Sequence, residues 1–464
     1  MRLVLAFTAL LAATTSPAGA QETIDSAGLA GKWTGTLTTP GGALPLIFAL
    51  GDADGDGNPD GNAYSPAQSD QPLPLGEVAL ADGILTLTIP MVGASYEGRY
   101  EEGRFVGTFR QGGAQLPLTL TLDPEAELPE EAALPADHVL PAPETVAALL
   151  DPVVAEHDGM AVAVALIALG REDLIVRADP ATGYDGDTRF EIGSITKSMT
   201  GLLLASLAAD GTVALDDPVN RYLPETAQLP DGADGRAITL ADLARHRAGL
   251  PRLPADFSPS QPFDPYAHYD IDALHASIAA TSTLESEPGE TVAYSNFGAA
   301  ILGAALARAA GTSYAALLEE RLFVPLGLEA VIGNSSEGTL AQPHGRLHQP
   351  QSDWDLGAFA PAGGVRADIA DMARFARLYL ERPAAFAEAI ALLFEGGDAD
   401  GLGLFRRRFG DREIVWHNGA TGGSRAMMAL DPDRGEAVVV MVNSHAGINP
   451  DHLAVHLLTG RPLP

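Results

Sequence analysis

Ser194 and Lys197 stand three residues apart in the stretch Phe190-Glu191-Ile192-Gly193-Ser194-Ile195-Thr196-Lys197-Ser198-Met199-Thr200, and Lys197 is one of two lysines in the chain, the other being Lys32. The remaining basic side chains are arginines, which keep their proton near neutral pH, so a lysine placed here points to proton transfer. A serine hydroxyl becomes a strong nucleophile only when a base removes its proton, and it then forms an acyl intermediate that water must hydrolyse. An unperturbed lysine is neutral in only about one molecule in 2,500 at pH 7, so Lys197 serves as base only where burial or a nearby charge lowers its pKa. Two further groups offer related chemistry: Tyr294-Ser295-Asn296 and His417-Asn418-Gly419. If the fold brings Tyr294 beside a cationic Lys197, its phenolate becomes an alternative acceptor of the Ser194 proton and the two titrate as a pair.

The element carrying the first group is legible. Residues 195–209 are rich in Leu, Ala and Met, hold no proline and end at Asp210-Gly211, which predicts a helix with Ser194 in its first turn. Helical residues three apart share a face, bringing the Lys197 amine within reach of the Ser194 hydroxyl. The first turn also offers unpaired N–H groups to an oxyanion forming beside Ser194. Tyr294 falls in a loop before a helix predicted over 297–310, and His417 follows a strand at 414–416.

The chain has 464 residues, 46% hydrophobic and 19% charged, which predicts two globular units. Residues 1–20 have a basic second position, an apolar run and Ala18-Gly19-Ala20, the pattern of a secretory signal, which predicts a periplasmic or secreted protein. No later apolar run reaches the 18 or so residues of a membrane helix, so no membrane anchor is expected. With no cysteine there is no disulfide, thiolate nucleophile or lipid-bearing cysteine. The formal net charge of −33 repels phosphate backbones and anionic lipid, which argues against nucleic-acid and membrane-surface roles.

Residues 21–122 read as a β-rich domain, with runs at 32–37, 44–50, 84–89, 94–100, 104–109 and 116–122 separated by Gly, Asp and Pro turns. An antiparallel sheet or small barrel is expected. Within it, residues 52–60 have the alternating aspartates that open a calcium loop, but the twelfth position is Ala63 where a bidentate Glu belongs, so they read as an acidic turn and no metal ligands are assigned. Residues 123–143, rich in Pro, Glu and Ala, read as a linker. From 144 to 464, strands at 162–169 and 174–178 and at 414–416, 426–430 and 437–442 bracket helices predicted at 240–245, 271–280, 297–310, 314–322 and 369–380. The two ends are expected to form one sheet.

Taken in order, Ser194-x-x-Lys197, Tyr294-x-Asn296 and His417-x-Gly419 resemble the three motifs of the family of class C β-lactamases and D-alanyl-D-alanine carboxypeptidases. Leu215-Asp216-Asp217-Pro218-Val219, His246-Arg247-Ala248-Gly249-Leu250, Pro325-Leu326-Gly327-Leu328 and Ala362-Gly363-Gly364-Val365 strengthen the resemblance, which runs from about Val146 to Ser444. It implies an α/β fold, an antiparallel sheet flanked by helices with a helical subdomain, preceded here by the small all-β domain. It also implies a serine hydrolase that cleaves an amide or ester through an acyl-serine, without cofactor or metal. Ser194, Lys197, Tyr294 and His417 would be catalytic, and the backbone N–H groups of Ser194 and Ala420 would form the oxyanion hole. Asn296 would contact an acyl-amide carbonyl and Lys197, Gly419 would admit the substrate backbone, and His417 would orient Tyr294 or contact a substrate carboxylate. Where many β-lactamases carry Lys, this chain has His417, so D-amino-acid peptides or small esters lead β-lactams as substrates. The cation for a substrate carboxylate is then assigned to Arg425, capable of bidentate contact. The partner is a small molecule or short peptide. The rival reading is a penicillin-binding sensor or decoy that acylates without efficient turnover.

Overall fold

The computed structural model describes residues 24–463 apart from 25, 40–41, 52–58, 68, 90–91, 112–113, 130–133, 136, 260, 262, 334–337, 395–400 and 411. The expected signal at 1–20 and most of the acidic turn at 52–60 lie outside the described residues.

Residues 31–122 form a nine-stranded antiparallel sheet in which Gly31–Thr39 pairs on one side with Gly42–Gly51 and on the other with Ala114–Leu122. Alternation builds it. In Ile84–Ile89 the residues Leu85, Leu87 and Ile89 are buried while their neighbours are half-buried. Side chains from distant strands, Trp33, Phe48, Leu87, Tyr96 and Phe105, share one core, so the sheet curls around them. Three strands that residue pattern alone does not suggest, Asp60–Ser65, Ser69–Pro74 and Val78–Ala81, complete it. The Tyr96 hydroxyl is shared between the carbonyls of Phe105 at 3.0 Å and Leu118 at 3.3 Å.

The second unit is built on a six-stranded antiparallel sheet that joins both ends of its chain, as the sequence predicts. Its order is Arg171–Ala178, Ala161–Ala168, Glu436–Val442, Arg425–Asp431, Arg412–Ala420 and Phe405–Phe409. Ala161–Ala168 is apolar at nearly every position because both of its faces are covered. Ala163, Ala165 and Ile167 enter the larger core beneath the helical layer, whereas Val162, Val164 and Leu166 meet the helices Pro143–Ala155 and Pro450–Thr459 on the opposite face. The first of these helices begins at Pro143, a first-turn position where a missing N–H costs nothing. Between the two ends of the sheet the chain forms the helical subdomain, including Asn296–Ala310 and Ile369–Glu381. Among the described residues no single helix is long and apolar enough to cross a membrane.

Candidate active site

Ser194 lies in a 3-10 turn, Gly193–Ile195, that runs into the α-helix Thr196–Ala209, one residue later than the composition of the segment predicts. Two glycines let this turn dock on the sheet. A β-carbon built on Gly419 would lie 2.8 Å from the Ser194 nitrogen and collide with the Ile192 carbonyl, while Gly193, at φ 52°, would press a β-carbon to 2.6 Å from the Ala420 nitrogen. Gly419 therefore admits the backbone of Ser194 itself, where the family resemblance assigns it to the substrate's.

The sheet edge supplies the second backbone donor. Thr421 N–H donates to the Ser424 carbonyl at 3.0 Å, closing the turn between the strands Arg412–Ala420 and Arg425–Asp431. The next pair, Ala420 and Arg425, is then one whose N–H groups point away from each other. The outer strand Phe405–Phe409 pairs only with Arg412 to Trp416, so the edge beyond Trp416 is open and Ala420 N–H faces it. Ser194 and Ala420 line one small cavity.

Lys197 is 3% exposed, and its Nζ lies 3.1 Å from Ser194 Oγ and 2.6 Å from the Ala362 carbonyl. Burial first, then the positive charge of Arg252, holds its ammonium pKa well below the ordinary lysine value. Its Nζ also sits 4.8 Å from the centre of the Tyr294 ring. Burial pushes the Tyr294 phenol up to about 12, against a hydrogen bond with Ser194 and the charge of Arg252, both of which lower it. Burial thus works against the charged form of each, the ammonium of Lys197 and the phenolate of Tyr294. Asn296 reaches the cavity, its Nδ2 donating to the Tyr266 hydroxyl at 3.4 Å and its Oδ1 buried without a partner. The expected bond between Asn296 and Lys197 is absent among the described residues: Asn296 turns its Nδ2 to Tyr266, and Nζ bonds to Ser194 Oγ and the Ala362 carbonyl instead.

His417 is fully buried, with ring centroids 5.2 Å from Phe405 and 6.4 Å from Tyr294. Its Nδ1 lies 2.6 Å from the Asn418 carbonyl and donates to it, which leaves Nε2 as an unpartnered acceptor. Burial first, then Lys197, pushes its pKa down to about 3. A neutral imidazole can accept from Tyr294 or from a substrate N–H, but it gives no cation to a carboxylate.

Arg425 is placed elsewhere. Strand alternation puts Gly419 and Ala426 on the face towards Ser194 and sends Arg425 to the other, where it donates to Asn449 Oδ1 at 2.9 Å and lies 4.0 Å from Asp451. It does not line the cavity.

Other groups carried no signal strong enough to be chosen from the sequence. His246, in a left-handed conformation at φ 57°, holds the Tyr294 segment at three points. Its carbonyl accepts from Ala293 N–H at 2.7 Å, its Nδ1 accepts from Ser295 N–H at 3.2 Å, and its ring packs 4.4 Å from that of Tyr294. Ser295 caps the helix Asn296–Ala310 by accepting from Gly298 N–H at 2.8 Å. Glu191, 3% exposed, accepts from Thr421 Oγ1 at 2.6 Å and from Trp354 N–H at 2.7 Å, joining the strand end to the opposite wall; burial raises its pKa. That wall is aromatic and apolar: Tyr266, Trp354, Leu356 and Phe359. The stretches at 246–250 and 362–365 marked these neighbourhoods without assigning their roles.

The β-lactamase family model matches residues 146–458, well over half of the chain. The chain belongs to the β-lactamase family, and it is a serine hydrolase of that family. The D-alanyl-D-alanine-carboxypeptidase/endopeptidase AmpH of Escherichia coli (strain K12) is 29% identical over 308 residues, covering 60% of this chain and 78% of that protein. Penicillin-binding protein 4 of Amycolatopsis lactamdurans is 27% identical over 284 residues, covering 55% and 72%. Among solved structures, a β-lactamase/D-alanine carboxypeptidase from Yersinia pestis complexed with citrate superposes with a TM-score of 0.53 at 25% identity, over 65% of this chain and 94% of that one. The β-lactamase/transpeptidase fold expected from the motifs is the one observed.

Proposed function

We propose that this protein is an exported hydrolase that cleaves an amide or ester of a D-amino-acid peptide or small ester through an acyl intermediate on Ser194. The observation that carries the reading is the buried Lys197 Nζ, 3.1 Å from Ser194 Oγ, beside the open N–H of Ala420. In the first step the Ser194 proton passes to the neutral Lys197 amine as Oγ bonds to the acyl carbon. The carbonyl oxygen takes up the electron pair and is held by the N–H groups of Ser194 and Ala420. As the tetrahedral centre collapses, the proton leaves Lys197 through the Tyr294 hydroxyl for the departing amine or alkoxide. Water then repeats the sequence, returning the acid product and the free serine. Asn296 offers its unpartnered Oδ1 to a substrate N–H, and neutral His417 orients Tyr294.

The named activity of the Escherichia coli relative supports D-alanyl peptides as the first class to try, and the leader-like residues 1–20 support export. Turnover of N-acylated D-alanyl-D-alanine, its L,L counterpart and short-chain p-nitrophenyl esters tests the proposal. D-selective or ester hydrolysis that is lost in Ser194→Ala supports it. A folded Ser194→Ala variant with undiminished activity overturns it.

A further inference from the structure

With Arg425 turned away and His417 neutral, the cleft needs another source of positive charge for an anionic substrate, and the arginines differ in how they are used. Arg366 is tied to Asp353 at 2.7 Å and lies 3.9 Å from Glu191. Some exposed arginines find carboxylates on the acidic surface, as Arg177 does with Asp151 at 2.6 Å and Arg377 with Glu172 at 3.2 Å. Arg252 does not, and among such arginines it is the one whose guanidinium lies over the Tyr294 ring. Arg252 is exposed and its guanidinium has no carboxylate and no hydrogen-bond acceptor among the described residues; Cζ lies 5.0 Å from the centre of the Tyr294 ring, the side chain runs beside Gly93 of the first domain, where a β-carbon would lie 3.4 Å from Arg252 Cδ, and the residue stands outside the lining of the small cavity at Ser194.

Its backbone is fixed where its side chain is not. The Arg252 carbonyl accepts from Asn296 N–H at 3.0 Å and Phe297 N–H at 3.2 Å, and the preceding Pro251 carbonyl accepts from Ser295 Oγ at 2.6 Å. These bonds mount residue 252 on the segment that carries Tyr294 and Asn296. The charge of Arg252 is felt at Lys197, His246, Tyr266 and Tyr294, groups on several sides of the cleft. In a chain of net charge −33, a guanidinium at this place without an anionic partner is a cation open to one. A guanidinium can also grip a carboxylate through two parallel hydrogen bonds, fixing its orientation as well as its position.

We infer that Arg252 is a specificity-determining residue that receives a carboxylate of the substrate, so that the preferred substrates are amides or esters bearing a free carboxylate near the scissile bond. The inference rests on the acyl-serine reading above.

Boronic acids separate the two, because boron accepts the Ser194 oxygen without needing a known substrate. Calorimetric titration of the full protein with phenylboronic acid and with its meta- and para-carboxy derivatives gives a ratio of dissociation constants for each pair. Wild type should prefer at least one carboxylated compound. Arg252→Gln should reduce that preference by about tenfold to a hundredfold, the range for a charged hydrogen bond, and Arg252→Lys should restore part of it. A wild-type protein without the preference, or an unchanged ratio in Arg252→Gln, overturns the assignment of Arg252 while leaving the serine chemistry in place. If no boronic acid binds wild type, or if binding survives Ser194→Ala, the acyl-serine reading fails and the inference falls with it.

Discussion

Tyr96 and Tyr294 are both tyrosines whose phenol is held above its ordinary pKa by burial, yet they stand in regions that treat polar atoms in opposite ways. In the curled sheet of the first domain the Tyr96 hydroxyl is satisfied by two backbone carbonyls. No buried side-chain N or O atom among that domain's described residues lacks a partner. Around Tyr294 the Nε2 atoms of His246 and His417 and the Oδ1 of Asn296 are all buried and all unpartnered. Leaving such a group unsatisfied typically costs about 1–3 kcal/mol. Of the three, Asn296 lines the cavity and so has its free oxygen where a ligand can reach it, whereas the first domain satisfies its buried polar atoms internally.

The contrast breaks most sharply at the nucleophile. Ser194→Ala should lower kcat/KM by about 10⁴-fold or more, and Lys197→Arg should be nearly as damaging, since arginine keeps the charge but cannot take the proton. Unchanged thermal unfolding in both variants would place the loss in chemistry. Tyr294→Phe should cost about 10²–10⁴ in kcat with little effect on stability. Tyr96→Phe is its mirror: kinetics unchanged and unfolding free energy lower by about 1–3 kcal/mol, measured by urea denaturation. A kinetic defect in Tyr96→Phe would erase the distinction between the two regions. Gly419→Ala, which presses a β-carbon against Ser194 and Ile192, should cost about 10²–10³ in kcat by displacing a backbone donor.

The pH profile gives the smallest and most diagnostic effect. Lys197 must be unprotonated to act, so kcat/KM should rise as pH climbs through its depressed pKa and then stay level until the Tyr294 proton is lost near about 12. Arg252→Gln removes a positive neighbour and raises the Lys197 pKa, which moves the acid limb to higher pH. An acid limb that stays in place or moves to lower pH would show that Arg252 does not act on Lys197.

Much of this arrangement is legible in residue type and spacing. The helix after Ser194, the loop bearing Tyr294 and the joining of the two chain ends in one sheet follow from composition, turn residues and alternation. What escapes is carried by the backbone or by parity. The Ala362 carbonyl that accepts from Lys197 has no side-chain signature. Arg425 is near His417 in sequence, but the hairpin puts it opposite Ala420, one position out of phase with the face that meets Ser194. His246 acts through an imidazole nitrogen and a left-handed backbone, neither of which a sequence displays. Arg252 is distinguished by its place over the Tyr294 ring, which only the fold reveals.

If Lys197 makes Ser194 nucleophilic, a fluorophosphonate should label that serine at a rate set by the lysine. Oγ attacks phosphorus, fluoride leaves, and the serine proton goes to the base. Intact-protein mass with peptide mapping should show a single adduct on Ser194 in wild type, none in Ser194→Ala and a much slower reaction in Lys197→Arg. An adduct that persists in Ser194→Ala would show that another residue is the nucleophile, and a rate indifferent to Lys197→Arg would show that Lys197 does not activate Ser194.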